Sequence, residues 1–173
     1  MPHMPAEKIC LDSAKQDKLF YFVANVVVYR ESDGRCLLLK RSETEKVHPG
    51  KYAVPGGKLE WSDLDISRPS RLNGDVLDFE DAVEKLLARE VAEEAGIGIS
   101  GPLAYINSVA YVRPDGTPTL LAKFAARYSG GEVTLERGSF TGYVWANAQE
   151  TAALPCIMGI PEEVRRTIEM FRK

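Results

Sequence analysis

One segment carries most of the structural and chemical information in this chain: Arg89-Glu90-Val91-Ala92-Glu93-Glu94-Ala95-Gly96-Ile97. Upstream of it, apolar residues recur with the period of about 3.6 residues that marks an α-helix. We therefore predict a helix over residues 79–95 that stops at Gly96, with Asp78 as its cap and Asp81 in its first turn. The apolar stripe of this helix consists of Phe79, Val83, Leu86 and Leu87.

Three carboxylates extend this apolar stripe instead of facing away from it: Glu90, Glu93 and Glu94. Like charges three and four residues apart repel each other on a helix, and partial burial increases the cost. A positive group must therefore compensate, either a divalent cation or basic side chains. Ligands made only of oxygen favour Mg²⁺ or Mn²⁺. The alternative is a solvated acidic face paired with Arg89 and Lys85.

The sequence on either side of this helix predicts strands, two further helices and the loops that connect them. Apolar runs predict strands within residues 19–29, 36–39, 52–60, 103–112, 120–128 and 142–145, and further helices at 148–154 and from Pro161. Pro55-Gly56-Gly57 breaks the third strand. Glycine permits close backbone approach there, so a carbonyl can be aimed at an ion. Residues 61–78 have no clear period, which predicts a long surface loop that is either functional or mobile.

Size and composition limit the classes of protein to which this chain can belong. Its 173 residues are 45% hydrophobic and 27% charged, which suits one domain at 19–173 after a polar tail at 1–18. A net charge of −3 argues against stable binding to nucleic acid, and no apolar run is long enough for a membrane span. Three widely separated cysteines and the lack of a signal-peptide pattern predict a cytoplasmic protein.

Together, the Pro-Gly-Gly turn and the carboxylate helix resemble the signature of the Nudix hydrolases. That signature is Gly, five residues, Glu, seven residues, then Arg-Glu-apolar-any-Glu-Glu-any-Gly-apolar. Residues 89–97 match every fixed position of its second half, and the resemblance covers roughly residues 20–150. It implies an α/β/α sandwich with a mixed β-sheet and the catalytic helix on one face.

The chain departs from this signature in two ways. Counting back eight residues from Arg89 places Asp81 where the family has its first Glu. An insertion at about 61–78 also lengthens the connection between Gly57 and the helix. We expect the insertion to shape selectivity for the group beyond the diphosphate, or to contact a second subunit, without taking part in the chemistry.

The resemblance also implies roles for individual residues. Glu90, Glu93 and Glu94 correspond to the metal-binding carboxylates of the family, and the Gly57 carbonyl corresponds to a further ligand. Arg89 corresponds to the arginine that pairs with one of these glutamates and orients it. Glu93, Glu94 and Arg89 are therefore predicted to belong to the catalytic machinery.

The resemblance identifies the general base and the phosphate contacts less directly than the metal ligands. In the family the base is either a helix glutamate or a glutamate on a loop before the last strand, and Glu136 is the loop candidate here. Arg41 ends the second predicted strand and Lys58 follows the Gly-Gly pair. Both cations are predicted to contact phosphate.

The implied activity is Mg²⁺-dependent hydrolysis of the diphosphate linkage in a nucleoside diphosphate derivative, such as a nucleoside triphosphate or ADP-ribose, with Mn²⁺ as the other possible ion. We expect a nucleotide-type small molecule as substrate and a monomer or homodimer. One alternative is a non-catalytic nucleotide-binding sensor of the same fold, against which the intact glutamates argue. A second is a prenyl-diphosphate isomerase, which would need a catalytic cysteine, and Cys36 and Cys156 lie in no matching motif.

Overall fold

The computed structural model describes residues 4–172 and contains a mixed β-sheet with helices on both faces. Residues 1–3 of the predicted tail and Lys173 lie outside the described residues. The strands are β1 (Tyr21–Arg30), β2 (Arg35–Arg41), β3 (Tyr52–Ala53), β4 (Gly56–Lys58), β5 (Arg71–Asn73), β6 (Val76–Asp78), β7 (Gly98–Val112), β8 (Pro118–Gly130) and β9 (Phe140–Ala146). The helices are α1 (Ala82–Ala95), α2 (Ala148–Ala152) and α3 (Ile160–Phe171), with short 3-10 turns at Gln16–Lys18 and Trp61–Asp63.

Strand β1 is the central strand of the main sheet. It runs parallel to β8 and antiparallel to β2 at one end and β4 at the other. Strand β2 also pairs with β3 and β9, and β7 pairs with β8 at the edge. Because side chains alternate along a strand, β1 contributes to two cores, one beneath α1 and one beneath α3. The predicted α/β/α sandwich with a mixed sheet is confirmed.

Helix α1 begins at Ala82, three positions later than the apolar pattern predicts. Asp81 precedes it with a positive φ of 56°, and its side chain makes no capping hydrogen bond. Asp78 belongs to β6 and pairs with Arg71 at 2.7 Å, so the predicted cap is wrong. The buried residues of the helix are Leu86, Leu87, Val91 and Ala95.

The insertion is folded and is not the irregular loop that its lack of period predicts. Strands β5 and β6 form a two-stranded hairpin outside the main sheet. Arg71 closes this hairpin through Asp78 and also reaches Glu80 at 3.0 Å. The Ser70 hydroxyl accepts a hydrogen bond from the Glu80 N–H at 3.0 Å. The hairpin is therefore tied to the residues that lead into α1.

No helix within residues 4–172 combines the length and the apolar content needed to cross a membrane.

Candidate active site

Strand β4 brings two glycines against the carboxylate face of α1. A Cβ at Gly57 would overlap the Glu90 carboxylate, and a Cβ at Gly56 would overlap the backbone of β1. The Gly56 N–H donates a hydrogen bond to Oε2 of Glu94 at 3.1 Å. A side chain at Gly56 would push the strand away from β1, and one at Gly57 would displace the Glu90 carboxylate, so this close approach requires the Gly-Gly pair.

The register of β4 against β1 determines which carbonyl faces these carboxylates. Main-chain hydrogen bonds join β1 to Pro55 and to Leu59, at 2.9 and 3.0 Å. Such pairs alternate in an antiparallel ladder, so the main-chain groups of Gly57 point toward β1 and those of Gly56 point outward, toward Glu94. The sequence predicts the Gly57 carbonyl as a metal ligand, whereas this register favours the carbonyl of Gly56.

Arg89 lies among three carboxylates. Its Nη1 is 2.9 Å from Oε1 of Glu90 and 3.3 Å from Oε2 of Glu93, and its Nη2 is 3.1 Å from Oδ1 of Asp63. Because the Glu90 carboxylate also lies against Gly57, the arginine holds this glutamate against strand β4. This arrangement fits the orienting role that the resemblance implies.

Asp63 occupies the position for which the sequence spacing suggests Asp81. It lies six residues after Gly57, the spacing of the first acidic residue in the signature, and its carboxylate contacts Arg89. The added residues therefore fall between Asp63 and α1, in the second gap of the signature. Counting back from Arg89 crosses the insertion and gives the wrong residue, whereas counting forward from Gly57 gives Asp63.

Two partly buried carboxylates of α1, those of Glu90 and Glu94, resist ionisation. Burial raises the pKa of Glu94 to about 8, with the Gly56 N–H opposing the shift and the charges of Glu90 and Glu136 adding to it. Burial also raises the pKa of Glu90, against the attraction of Arg89. A nearby cation would favour the charged form of both groups.

The loop after β8 brings Glu136 to the C-terminal end of α1. The Glu136 N–H donates to the Glu94 carbonyl at 3.1 Å, and the Thr134 N–H donates to the Ala95 carbonyl at 2.9 Å. Gly96 ends the helix with a φ of 67°, where a Cβ would crowd Thr134. The exposed Glu136 side chain is close enough to raise the pKa of Glu94, so the loop carboxylate joins the cluster.

The two predicted phosphate contacts have different surroundings. Arg41 donates from Nε to the Val47 carbonyl at 2.9 Å and pairs with Glu45 at 2.8 Å, and its charge lowers the pKa of Glu94. Lys58 instead extends its Nζ to within 5.8 Å of the centre of the Tyr21 ring. Arg41 therefore lies with the carboxylates, whereas Lys58 points toward the start of β1.

The donor atoms of this cluster suit a hard divalent cation. They are carboxylate oxygens of one helix and a carbonyl of the adjoining strand, the ligand type that Mg²⁺ and Mn²⁺ prefer. Within residues 4–172 no three His, Cys, Asp or Glu side chains converge on one point as a ready-made metal site. Arg89 and the Gly56 N–H hold Glu90 and Glu94 instead. The chemistry of the donors therefore fits the ion, and the carboxylates are held near one another by other partners.

Comparison with known proteins gives a family and a relative. The model of the NUDIX domain matches residues 21–157. The chain is 30% identical over 135 residues to the NAD-capped RNA hydrolase NudC of Stutzerimonas stutzeri (strain A1501), covering 78% of this chain and 39% of that protein. The chain thus spans about two fifths of the length of this curated relative.

Solved structures share the fold at lower identity. The MutT protein from Methanosarcina mazei Go1 superposes with a TM-score of 0.61 and 21% identity, covering 92% of this chain and 100% of that one. The NUDIX domain of Shewanella oneidensis NrtR, complexed with ADP ribose, superposes with a TM-score of 0.63 and 15% identity, covering 90% of this chain and 94% of that one. A C. elegans Ap4A hydrolase binary complex superposes with a TM-score of 0.57 and 18% identity, covering 88% of this chain and 97% of that one. These structural matches establish the fold, and the family match over most of the chain establishes that it belongs to the NUDIX domain family.

Proposed function

We propose that this chain hydrolyses the diphosphate linkage of a nucleoside diphosphate derivative with Mg²⁺ or Mn²⁺ as cofactor. The observation that carries the proposal is the contact of Glu90 and Glu94 with the two glycines of β4, with Glu136 and Arg41 close enough for their charges to act on Glu94. Such a site repels a diphosphate unless a cation is present. A divalent ion held there would supply positive charge to the diphosphate oxygens and would lower the pKa of the attacking water.

Different side chains of the cluster have different roles in the proposed reaction. Glu90, Glu93 and Glu94 would hold the ion together with a carbonyl of β4, and Arg89 keeps Glu90 directed at Gly57. Arg41 and Lys58 would contact phosphate oxygens. A carboxylate oxygen of Glu136 or of a helix glutamate would accept the proton of the attacking water.

A nucleotide panel tests this proposal. NudC is named for NAD-capped RNA, the NrtR domain was solved with ADP ribose, and another relative is an Ap4A hydrolase. We therefore expect turnover of at least one of ADP-ribose, NAD, Ap4A or a nucleoside triphosphate, measured as release of phosphate, pyrophosphate or nucleoside monophosphate. Activity should require Mg²⁺ or Mn²⁺ and disappear in EDTA.

Three variants identify the groups responsible. Glu93→Gln and Glu94→Gln should each lower kcat by about two orders of magnitude or more while the protein stays folded. Glu84→Gln is the matched control, because Glu84 is exposed on the same helix. Near-wild-type turnover in both site variants would make the metal assignment wrong. A comparable loss in Glu136→Gln would assign the base to the loop.

The alternatives give different results in the same assay. A sensor would bind ADP-ribose without turning over any nucleotide in the panel. The isomerase is disfavoured because Cys36 and Cys156 pack in the core beneath α3, on the other side of the sheet from the α1 carboxylates. Burial also raises the pKa of the Cys36 thiol to about 12, which is unsuitable for chemistry near neutral pH.

A further inference from the structure

A cavity of about 740 Å³ lies at the end of the sheet where β1 begins. Its walls come from the chain before and within β1, from the segment after Gly57, and from the start of β8. Small-molecule sites typically enclose about 300–1,000 Å³ and are lined mainly by apolar and aromatic side chains. The size of this cavity therefore suits a ligand group as large as a nucleoside.

Aromatic rings line this cavity and remain open to solvent. Phe20, Tyr21 and Trp61 are 55%, 51% and 56% exposed. The Lys58 ammonium and the Arg113 guanidinium lie 5.8 and 5.9 Å from the centre of the Tyr21 ring, so positive charge borders the same wall. Exposed rings beside cations suit a planar aromatic group that carries phosphate.

The cavity shares a wall with the carboxylate cluster. Residues 58–64 follow Gly57 directly, and within them Asp63 contacts Arg89 while Trp61 and Leu64 line the cavity. Trp61 is four residues from Gly57, so the two lie within about 14 Å of each other. A ligand whose diphosphate lies at the two glycines of β4 can therefore place its attached group against Trp61.

We propose that this cavity binds the aromatic base of the substrate, stacked against Trp61 and Phe20. The inference rests on the proposed function for the position of the diphosphate. It also gives the start of the 61–78 segment a definite role, because Trp61, which precedes the added residues, and Leu64 form part of the base site.

Binding can be tested without turnover. The chain has two tryptophans, so a Trp145→Phe background leaves Trp61 as the single fluorophore. The probes are AMP, which carries a base but no diphosphate linkage, and inorganic pyrophosphate, which carries no base. We expect AMP to change the Trp61 emission saturably and pyrophosphate to leave it unchanged. Unchanged emission at AMP concentrations that saturate binding by calorimetry would overturn the inference.

Kinetics supply an independent readout. Trp61→Ala and Phe20→Ala should each raise KM for the nucleotide substrate about ten-fold, the effect of losing one base–aromatic stack. Trp61→Phe should restore most of the loss because it keeps a ring. Tyr105→Ala is the control, since Tyr105 is 57% exposed on β7 and does not line the cavity. Unchanged KM in both alanine variants contradicts the inference.

Two further outcomes separate this inference from the hydrolase assignment. If no nucleotide is hydrolysed while AMP still changes the Trp61 emission, the base site stands and the proposed activity fails. If hydrolysis occurs while AMP leaves the Trp61 emission unchanged, the proposed activity stands and the base site fails. A stable dimer that shields Trp61 from acrylamide quenching would show that a second copy occupies the cavity, which also overturns the inference.

Discussion

Glu94 connects the chemistry of the site with the stability of the fold. Burial raises its pKa to about 8, whereas a glutamate in an unfolded chain titrates near 4.3. Between these two values the folded chain holds a proton that the unfolded chain has released. The free energy of unfolding should therefore fall as the pH rises through this window.

We expect the Tm in EDTA to decrease between about pH 5 and about pH 8, with one proton contributing up to about 1.4 kcal/mol per pH unit. Glu94→Gln should flatten this slope because glutamine does not titrate. Added Mg²⁺ should raise the Tm most at the upper end of the range, where Glu94 is charged. Circular dichroism melts across the range measure both effects, with Glu84→Gln as control. A wild-type slope in Glu94→Gln would assign the effect to another group.

Arg89 gives a second prediction for single residues. A lysine ammonium cannot reproduce the fork that spans Asp63, Glu90 and Glu93. Arg89→Lys should therefore lower kcat about ten-fold or more through misplacement of Glu90. The stability loss should be only about 0.5–1 kcal/mol, because the side chain is partly exposed and solvent screens its pairs.

A matched control exists on another helix. Arg165 also bridges two carboxylates, Glu162 and Glu169, but it lies on α3 outside the site. Arg165→Lys should keep wild-type turnover. Asp63→Asn should lower turnover in the same direction as Arg89→Lys, since it removes one of the arginine's partners. Wild-type melting and turnover in Arg89→Lys would show that the arginine is an ordinary surface residue.

At the scale of elements, the segment at residues 61–78 separates into two parts. Its first residues, Trp61 to Leu64, line the cavity and contact Arg89 through Asp63. The β5–β6 hairpin that follows leaves Leu72 and Val76 exposed at 57% and 54%. We therefore expect the hairpin to be dispensable for the chemistry and the residues before it to be required.

Two deletions test this division. Replacing residues 66–78 with a short Gly-Ser link should preserve metal-dependent hydrolysis and change at most KM or substrate preference. Replacing residues 62–77 also removes Asp63, so turnover should fall about as far as in Asp63→Asn. Steady-state kinetics on both folded proteins decide the matter. Complete loss of turnover in the shorter deletion would mean that the hairpin supplies a catalytic group.

The sequence predicts an element well when nearby residues determine where that element begins and ends, and poorly when they do not. The end of α1 follows from Gly96, and β1 follows from its β-branched run. The start of α1 does not, because Asp81 adopts a left-handed conformation that its residue type does not require. Strands β5 and β6, with three residues each, are too short to show a period.

Across the whole molecule, the site joins segments that are distant in the chain. Parallel pairing aligns Tyr21 with Thr119, a contact that no local pattern indicates. Motif spacing predicts that Gly57 and the helix glutamates lie together. The choice between the Gly56 and Gly57 carbonyls depends on the register of β4 against β1, because a shift of one residue reverses which carbonyl faces the glutamates. The cavity combines three such segments, and the sequence assigns its rings to separate elements, a strand within 19–29 and a surface loop at 61–78.

The position of the β5–β6 hairpin also divides the chain into two interlocking halves. Strands β1 to β4 precede it, and β7 to β9 follow it, yet β1 pairs with β8 and β2 pairs with β9. A break at Gly74, where a side chain would meet no neighbouring atom, would leave Gly56 and Gly57 on one fragment and the glutamates of α1 on the other. Neither fragment would contain a complete catalytic centre, so enzymatic activity would report directly on the association of the two, as in a split-enzyme sensor.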